Sequence, residues 1–227
     1  MNDPFKLSWV YTPYPNGHGP YARLVDFPKS GNVVAWIHTR RVEVPEPVYF
    51  TAYLEEMDKE CPDFPSNNQR WPIMSRRMLD ALLSVAPFAH RAIPVALIDD
   101  YDLAAGENPY GDDWRPLPGA VREGYCAVQL LEHTEAIDWE QSRYAPLRGY
   151  ENDPEVSWDL LKVVLAAPTT GFPPLFRLAR SSAALFVSEV ARDALVQAGL
   201  KGPDFIPMSK AIPGSVDVPP EWRHKRA

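Results

Sequence analysis

The residues best supplied for chemistry in this 227-residue chain are acids: Asp99, Asp100, Asp102, Glu107, Asp112 and Asp113 fall within fifteen positions, interleaved with Tyr101, Tyr110 and Trp114. Carboxylates at that density either hold a hard cation or face a basic surface. A calcium loop of the EF-hand kind needs an oxygen ligand at its fifth position and glycine at its sixth. Counted from Asp100, those positions are Ala104 and Ala105, so the pattern fails. What remains is a solvated loop or a docking surface. In the second case the carboxylates meet a basic partner and Tyr101, Tyr110 and Trp114 supply the buried anchors, as aromatics do at interfaces.

Other groupings carry less. The histidines, His18, His38, His90, His133 and His224, are scattered and form no H-E-x-x-H or other i, i+4 ligand pair. Cys61 and Cys126 make neither a C-x-x-C motif nor a disulfide framework. There is no G-x-S-x-G elbow and no Walker A loop. The turn Asn16-Gly17-His18-Gly19 runs into Pro20, which removes a backbone donor from any phosphate nest. Glu132, His133, Glu135 and Asp138 form the tightest polar group. On a strand, however, His133 would share a face with Glu135 while Glu132 and Asp138 took the other, leaving one carboxylate to support the imidazole. No catalytic residue, metal site or cofactor is expected.

Composition narrows the partners. The formal charge of −7 argues against nucleic acid as a direct ligand, because duplex binding needs a basic surface that displaces counterions. No run approaches the eighteen or so apolar residues of a membrane span, and no basic then apolar leader opens the chain. A cytoplasmic protein is expected.

The elements that would position such a surface are short. Twenty-five prolines spread from Pro4 to Pro220 imply strands and helices separated by stiff turns. The Tyr-, Pro- and Gly-rich first thirty residues read as an irregular wrapping arm. Apolar runs over 33–37, 48–54, 93–98, 125–131 (extending toward Asp138), 161–165, 175–178 and 204–207 read as strands. The stretch 58–69 is polar and turn-prone. Met78, Leu79, Leu82, Leu83 and Ala86 recur at helical spacing behind Ser75, a good N-cap, and Pro87 ends the run. Val190, Ala191, Ala194 and Leu195 do the same behind Ser188, with Gly199 at the exit. At a fixed offset of 113, Ser75 aligns with Ser188, Leu82 with Leu195, Ile93 with Ile206 and Pro94 with Pro207, the mark of an internal strand-helix-strand duplication. The expected fold is α+β: a mixed or mainly antiparallel sheet with a few packed helices in a single domain over 1–227. Residues 1–70 form the arm and first strands, 71–212 the core and 213–227 a tail.

Three stretches also carry a resemblance: Trp71 to Leu97, Tyr125 to Tyr144 with its Ala-Ile-Asp-Trp-Glu-Gln-Ser centre, and Leu175 to Met208. Together they resemble a family of bacterial immunity proteins encoded beside polymorphic toxins. Membership implies neutralisation of a cognate secreted toxin by stoichiometric binding, with no catalytic residue transferred and no toxin chemistry specified. The competing readings are a non-catalytic adaptor or scaffold and an enzyme acting on a small molecule.

Overall fold

The computed structural model describes residues 4–9, 21–24, 44, 46–52, 62–67, 69–99, 121–149, 158–208 and 215–216. Its elements run β1 (Phe5–Trp9), β2 (Tyr21–Leu24), β3 (Val48–Ala52), β4 (Ser66–Asn67), β5 (Ile73–Ser75), α1 (Arg76–Val85), β6 (His90–Asp99), β7 (Val121–Leu130), β8 (Arg143–Pro146) and β9 (Trp158–Lys162). They continue with β10 (Leu175–Leu178), β11 (Ser181–Val187), α2 (Glu189–Gln197), β12 (Pro203–Pro207) and β13 (Ser215–Val216). The fold is α+β. Its sheets are four-stranded (β10-β11-β1-β12), three-stranded (β13-β9-β8) and six-stranded (β4-β2-β3-β6-β7-β5). All pairings are antiparallel except β2 with β4 and β3 with β6.

Both helices begin for the reason the sequence offers. The Ser75 hydroxyl accepts the Met78 N–H at 3.2 Å, and the Ser188 hydroxyl accepts the Ala191 N–H at 3.3 Å. Gly199 ends α2 with φ +62, a conformation that costs a glycine little. Each helix buries one stripe, Met78, Leu79 and Leu82 on α1 and Ala191 and Leu195 on α2.

The repetition seen in the sequence extends to strand register. In the first half β5 and β6 both lie antiparallel to β7, with Ala127 opposite Ile73 on one side and Ile93 on the other. In the second half β11 and β12 both lie antiparallel to β1, with Lys6 opposite Phe186 and Ile206. Adding 113 to Ile73 and Ile93 gives Phe186 and Ile206, so the two split strand-helix-strand units pair in the same register around their middle strands. The middle strand follows its unit in the chain in the first half and precedes it in the second.

One apolar cluster joins the halves. It combines Met74, Met78, Leu82, Cys126 and Val128 from the first with Leu7, Leu175, Leu185, Val187, Ala191 and Leu195 from the second. The opposite face of the six-stranded sheet buries Val48, Phe50, Ile73, Ile93, Val95 and Ala127 around Trp71. Behind the four-stranded sheet Phe176 and Phe186 stack at 5.5 Å, and the three-stranded sheet closes on Tyr144 and Trp158.

Several expectations need correction. Residues 5–9 and 21–24 belong to no irregular arm: β2 pairs with β3 and β4, and β1 is a central strand whose backbone covers the edges of β11 and β12 while Phe5, Leu7 and Trp9, alternating with Lys6 and Ser8, join the core. The rest of the Tyr-Pro segment, 10–20, lies outside the described residues, as does the strand expected over 33–37. The strand placed at 161–165 is β9, three residues earlier, with Leu161 at 56% exposure facing solvent. Strand β7 stops at Leu130 and does not extend toward Asp138. Beyond it only isolated bridges at Thr134 and Ile137 continue the pairing, so the two-face argument for His133 and Glu135 has no strand to act on.

Truncation of the paired stripe residues tests this core. Leu82→Ala and Leu195→Ala should each lower stability by about 2–5 kcal/mol in urea denaturation, as buried leucines do. Val196→Ala, at a side chain 59% exposed on α2, should stay within about 0.5 kcal/mol of the parent.

Candidate functional site

A turn-prone stretch without apolar periodicity supplies a dense polar network. Asp63 is 5% exposed, and both its carboxylate oxygens are used. Oδ1 accepts from the Ser75 hydroxyl at 2.6 Å and from Arg77 Nε at 3.2 Å. Oδ2 accepts from Arg77 Nη2 at 2.6 Å and from the Lys201 N–H at 2.9 Å. The Asp63 main chain adds its own N–H to the Lys201 carbonyl at 2.7 Å and accepts the Ser75 N–H at 2.8 Å. One residue therefore clasps the start of α1 to the exit turn of α2. Gly202 completes the clasp: at φ +97, a side chain there would meet the Phe64 carbonyl oxygen at 2.8 Å. Burial pushes the Asp63 carboxyl up, but the Arg77, Ser75 and Lys201 hydrogen bonds outweigh it and hold the group below its ordinary value. This cluster is structural. Its signal in the sequence is faint, because its members lie up to 138 positions apart.

The opposite end of the helix pair is built differently. There the Ser188 N–H donates to the Pro174 carbonyl at 3.3 Å, as the Ser75 N–H does to Asp63. Pro174 thus takes the place of Asp63, but it has no N–H and no carboxylate to grip the exit turn of α1. Trp9, which pairs with Pro203 on β12, has its counterpart in Leu130, which pairs with His90 on β6. Phe64, next to Asp63, has its counterpart in Leu175, next to Pro174. Trp9 and Phe64 stack at 5.8 Å, and two leucines fill less of the corresponding space. A cleft of about 350 Å³ results, lined by Leu130, Pro174 and Leu175 together with Pro87 and Phe88 of the α1 exit, Phe172 and the polar Glu132, His133 and Thr134. The Phe88 ring packs on His90 with centroids 4.7 Å apart, while His90 Nδ1–H donates to the Phe88 carbonyl at 2.9 Å.

A second cleft, of about 290 Å³, opens beside the Trp9–Phe64 pair and is lined by Lys6, Arg70 and Arg177. Arg177 is 3% exposed, and desolvation lowers its pKa to about 10. Arg70 holds φ +55, and its N–H donates to the Asn67 carbonyl. Cys126 lies in the shared core, where burial pushes its thiol up and away from reactivity.

Of the acidic surface expected over Asp99 to Trp114, the described residues include Asp99 alone. Asp99 ends β6, and Asp100, Tyr101, Asp102, Glu107, Tyr110, Asp112, Asp113 and Trp114 lie outside the described residues. Glu132 and His133 do come together, in the first cleft's wall, whereas Asp138 caps a separate turn through the Glu140 and Gln141 N–H groups. Among the described residues no group of three or more His, Cys, Asp or Glu is arranged to hold a metal ion. No helix among them is long and apolar enough to cross a membrane. No family model matches the chain, and no curated protein matches it either.

The clasp predicts a pH signature. Because the folded Asp63 titrates below the ordinary value of 3.8, its stabilisation is complete above that value and is lost as pH falls through the lower folded value. Asp63→Ala, which leaves the part-buried Ser75 hydroxyl and Lys201 N–H without their acceptor, should cost about 1–3 kcal/mol at pH 7. The gap between its urea midpoint and that of the parent should narrow as the pH falls below about 4. A gap of constant size down to pH 2 would show that the carboxylate charge is not what holds the clasp.

Proposed function

We propose that the protein is an immunity protein: it binds a cognate secreted toxin one to one in the cytoplasm of the producing or sister cell and blocks it, without turning over a substrate. The observation that carries this reading is the unclasped end of the helix pair. A cleft of about 350 Å³ walled by prolines and aromatics sits there between the two units, and the side chains at its floor are smaller than their counterparts at the other end. A depression of this kind suits a side chain presented by another protein, since prolines and aromatics in its walls have few torsions to order on binding. The resemblance of the stretches 71–97, 125–144 and 175–208 to toxin-immunity proteins supports the same reading, and residues of all three stretches lie in or beside the cleft. The net charge of −7 favours a basic target. The acids and aromatics over 99–114 would then add a steering surface.

Co-expression is the direct test. Cells producing the toxin encoded beside this protein should survive when the protein is made with it and die when it is not; continued killing at equal expression would sink the reading for that pair, and an adaptor role would take its place. Reversing the charge at Asp99, Asp100, Asp112 and Asp113 should slow association with the toxin at low salt and leave the melting temperature nearly unchanged. An unaltered on-rate would remove that loop from the interface.

A further inference from the structure

The internal repetition says more about the cleft than its lining does. The two helices lie with the start of each beside the exit of the other, so each end of the pair presents the same three positions. At the clasped end these are Asp63, Phe64 and Trp9; at the open end they are Pro174, Leu175 and Leu130. Every one of the open-end residues lines the cleft. The space is therefore the room that an aromatic pair takes up in the same backbone frame at the other end, where Trp9 and Phe64 stack at 5.8 Å within the shared apolar cluster. Apolar lining is already in place, with Phe88 packed on His90 and Phe172 stacked on Phe176.

The electrostatics of the open end select a cation next to that ring. At the clasped end Arg77 and the Lys201 N–H demand an anion, which Asp63 provides. The position of Arg77 corresponds to Val190, which is 57% exposed and carries no charge. The C-terminal end of α1, which concentrates negative partial charge, faces the cleft with no basic residue in its last turn, while the positive start of α2 at the same end already carries Glu189 in its first turn. Glu132 adds a carboxylate at the wall and makes no ion pair among the described residues.

We infer that the cleft between the exit of α1 and Pro174 receives an aromatic side chain from an extended segment of a partner protein, with a lysine or arginine next to it in that segment meeting Glu132. This deepens the immunity reading and rests on it for the identity of the partner, the toxin. The aromatic ring is the anchor, and the neighbouring cation sets orientation, in the manner of a hot spot with a charged rim.

The test has two arms. In the first, the intact protein is titrated with the capped dipeptide acetyl-Lys-Trp-amide, and backbone amide shifts are followed by NMR. The expected result is saturable shifts confined to residues 86–89, 130–134 and 171–176, with acetyl-Lys-Ala-amide and acetyl-Glu-Trp-amide each binding at least tenfold more weakly. The double variant Leu130→Trp, Leu175→Phe, which copies the clasped end, should abolish the shifts while keeping the urea transition. Glu132→Lys, at an exposed position, should keep the urea transition and erase the preference for the lysine peptide. Equal binding of the alanine peptide, or shifts that persist in the filled variant, would overturn the inference. In the second arm the neighbouring toxin replaces the peptide. Loss of toxin binding on filling the cleft supports the inference. A toxin that binds the filled variant as tightly as the parent rejects the cleft and leaves the immunity reading standing. A toxin that ignores the parent while the lysine-tryptophan peptide binds it rejects that reading and leaves the cleft standing.

Discussion

A buried carboxylate is tolerable in a protein interior only when its lone pairs are met, and Asp63 has every partner it needs. That requirement ties together three segments that the chain keeps apart: the stretch before β5, the start of α1 and the turn after α2. The carboxylate satisfies the α1 cap residue and a bidentate arginine, while its own backbone closes on the Lys201 turn. Once that contact is made, the relative placement of the two helices follows, and so does the apolar cluster beneath them that contains residues of both units. Helix ends expose unpaired N–H and carbonyl groups, so a residue that serves the start of one helix and the exit of another relieves two such ends at once.

The repetition of two split strand-helix-strand units explains why this arrangement is so nearly symmetric. The units agree in cap residue, in buried stripe and in the register of both strands against a middle strand. They differ in where the middle strand comes from, β7 downstream of one unit and β1 upstream of the other. A sheet position needs an antiparallel neighbour with the right alternation and is indifferent to the route by which the chain delivers it. The symmetry then fails at three side chains, and that failure creates a cleft. A single aspartate in place of a proline, and two rings in place of two leucines, separate a closed end from an open one.

The functional reading follows from that asymmetry more than from any cluster of reactive groups. Polar chemistry at the clasped end is consumed in holding the fold. At the open end the polar groups rim a depression whose floor is apolar, which suits recognition of a side chain by shape and charge. On the proposed reading, acidity of the whole chain works in the same direction, since it favours an approaching basic surface over long range while the cleft would discriminate at short range.

Local signals were legible in the residues themselves. Ser75 and Ser188 at helix starts, Gly199 at a helix exit, the strand at 175–178 and the 113-residue offset can all be read along the chain, because caps, turns and periodicity act over a few positions. The α+β class follows from them. The fate of residues 5–9 could not be read, since a five-residue alternation becomes a central strand only when β11 and β12 offer edges on both sides. Asp63 was equally hidden: one aspartate in a turn-rich stretch resembles any other until Arg77 and Lys201 arrive from 14 and 138 positions away. The cleft is more hidden still, being a volume set by what Leu130, Pro174 and Leu175 fail to fill. Short-range preferences of the backbone belong to the sequence, whereas enclosed space and long-range ion pairing exist only after the chain has folded back on itself.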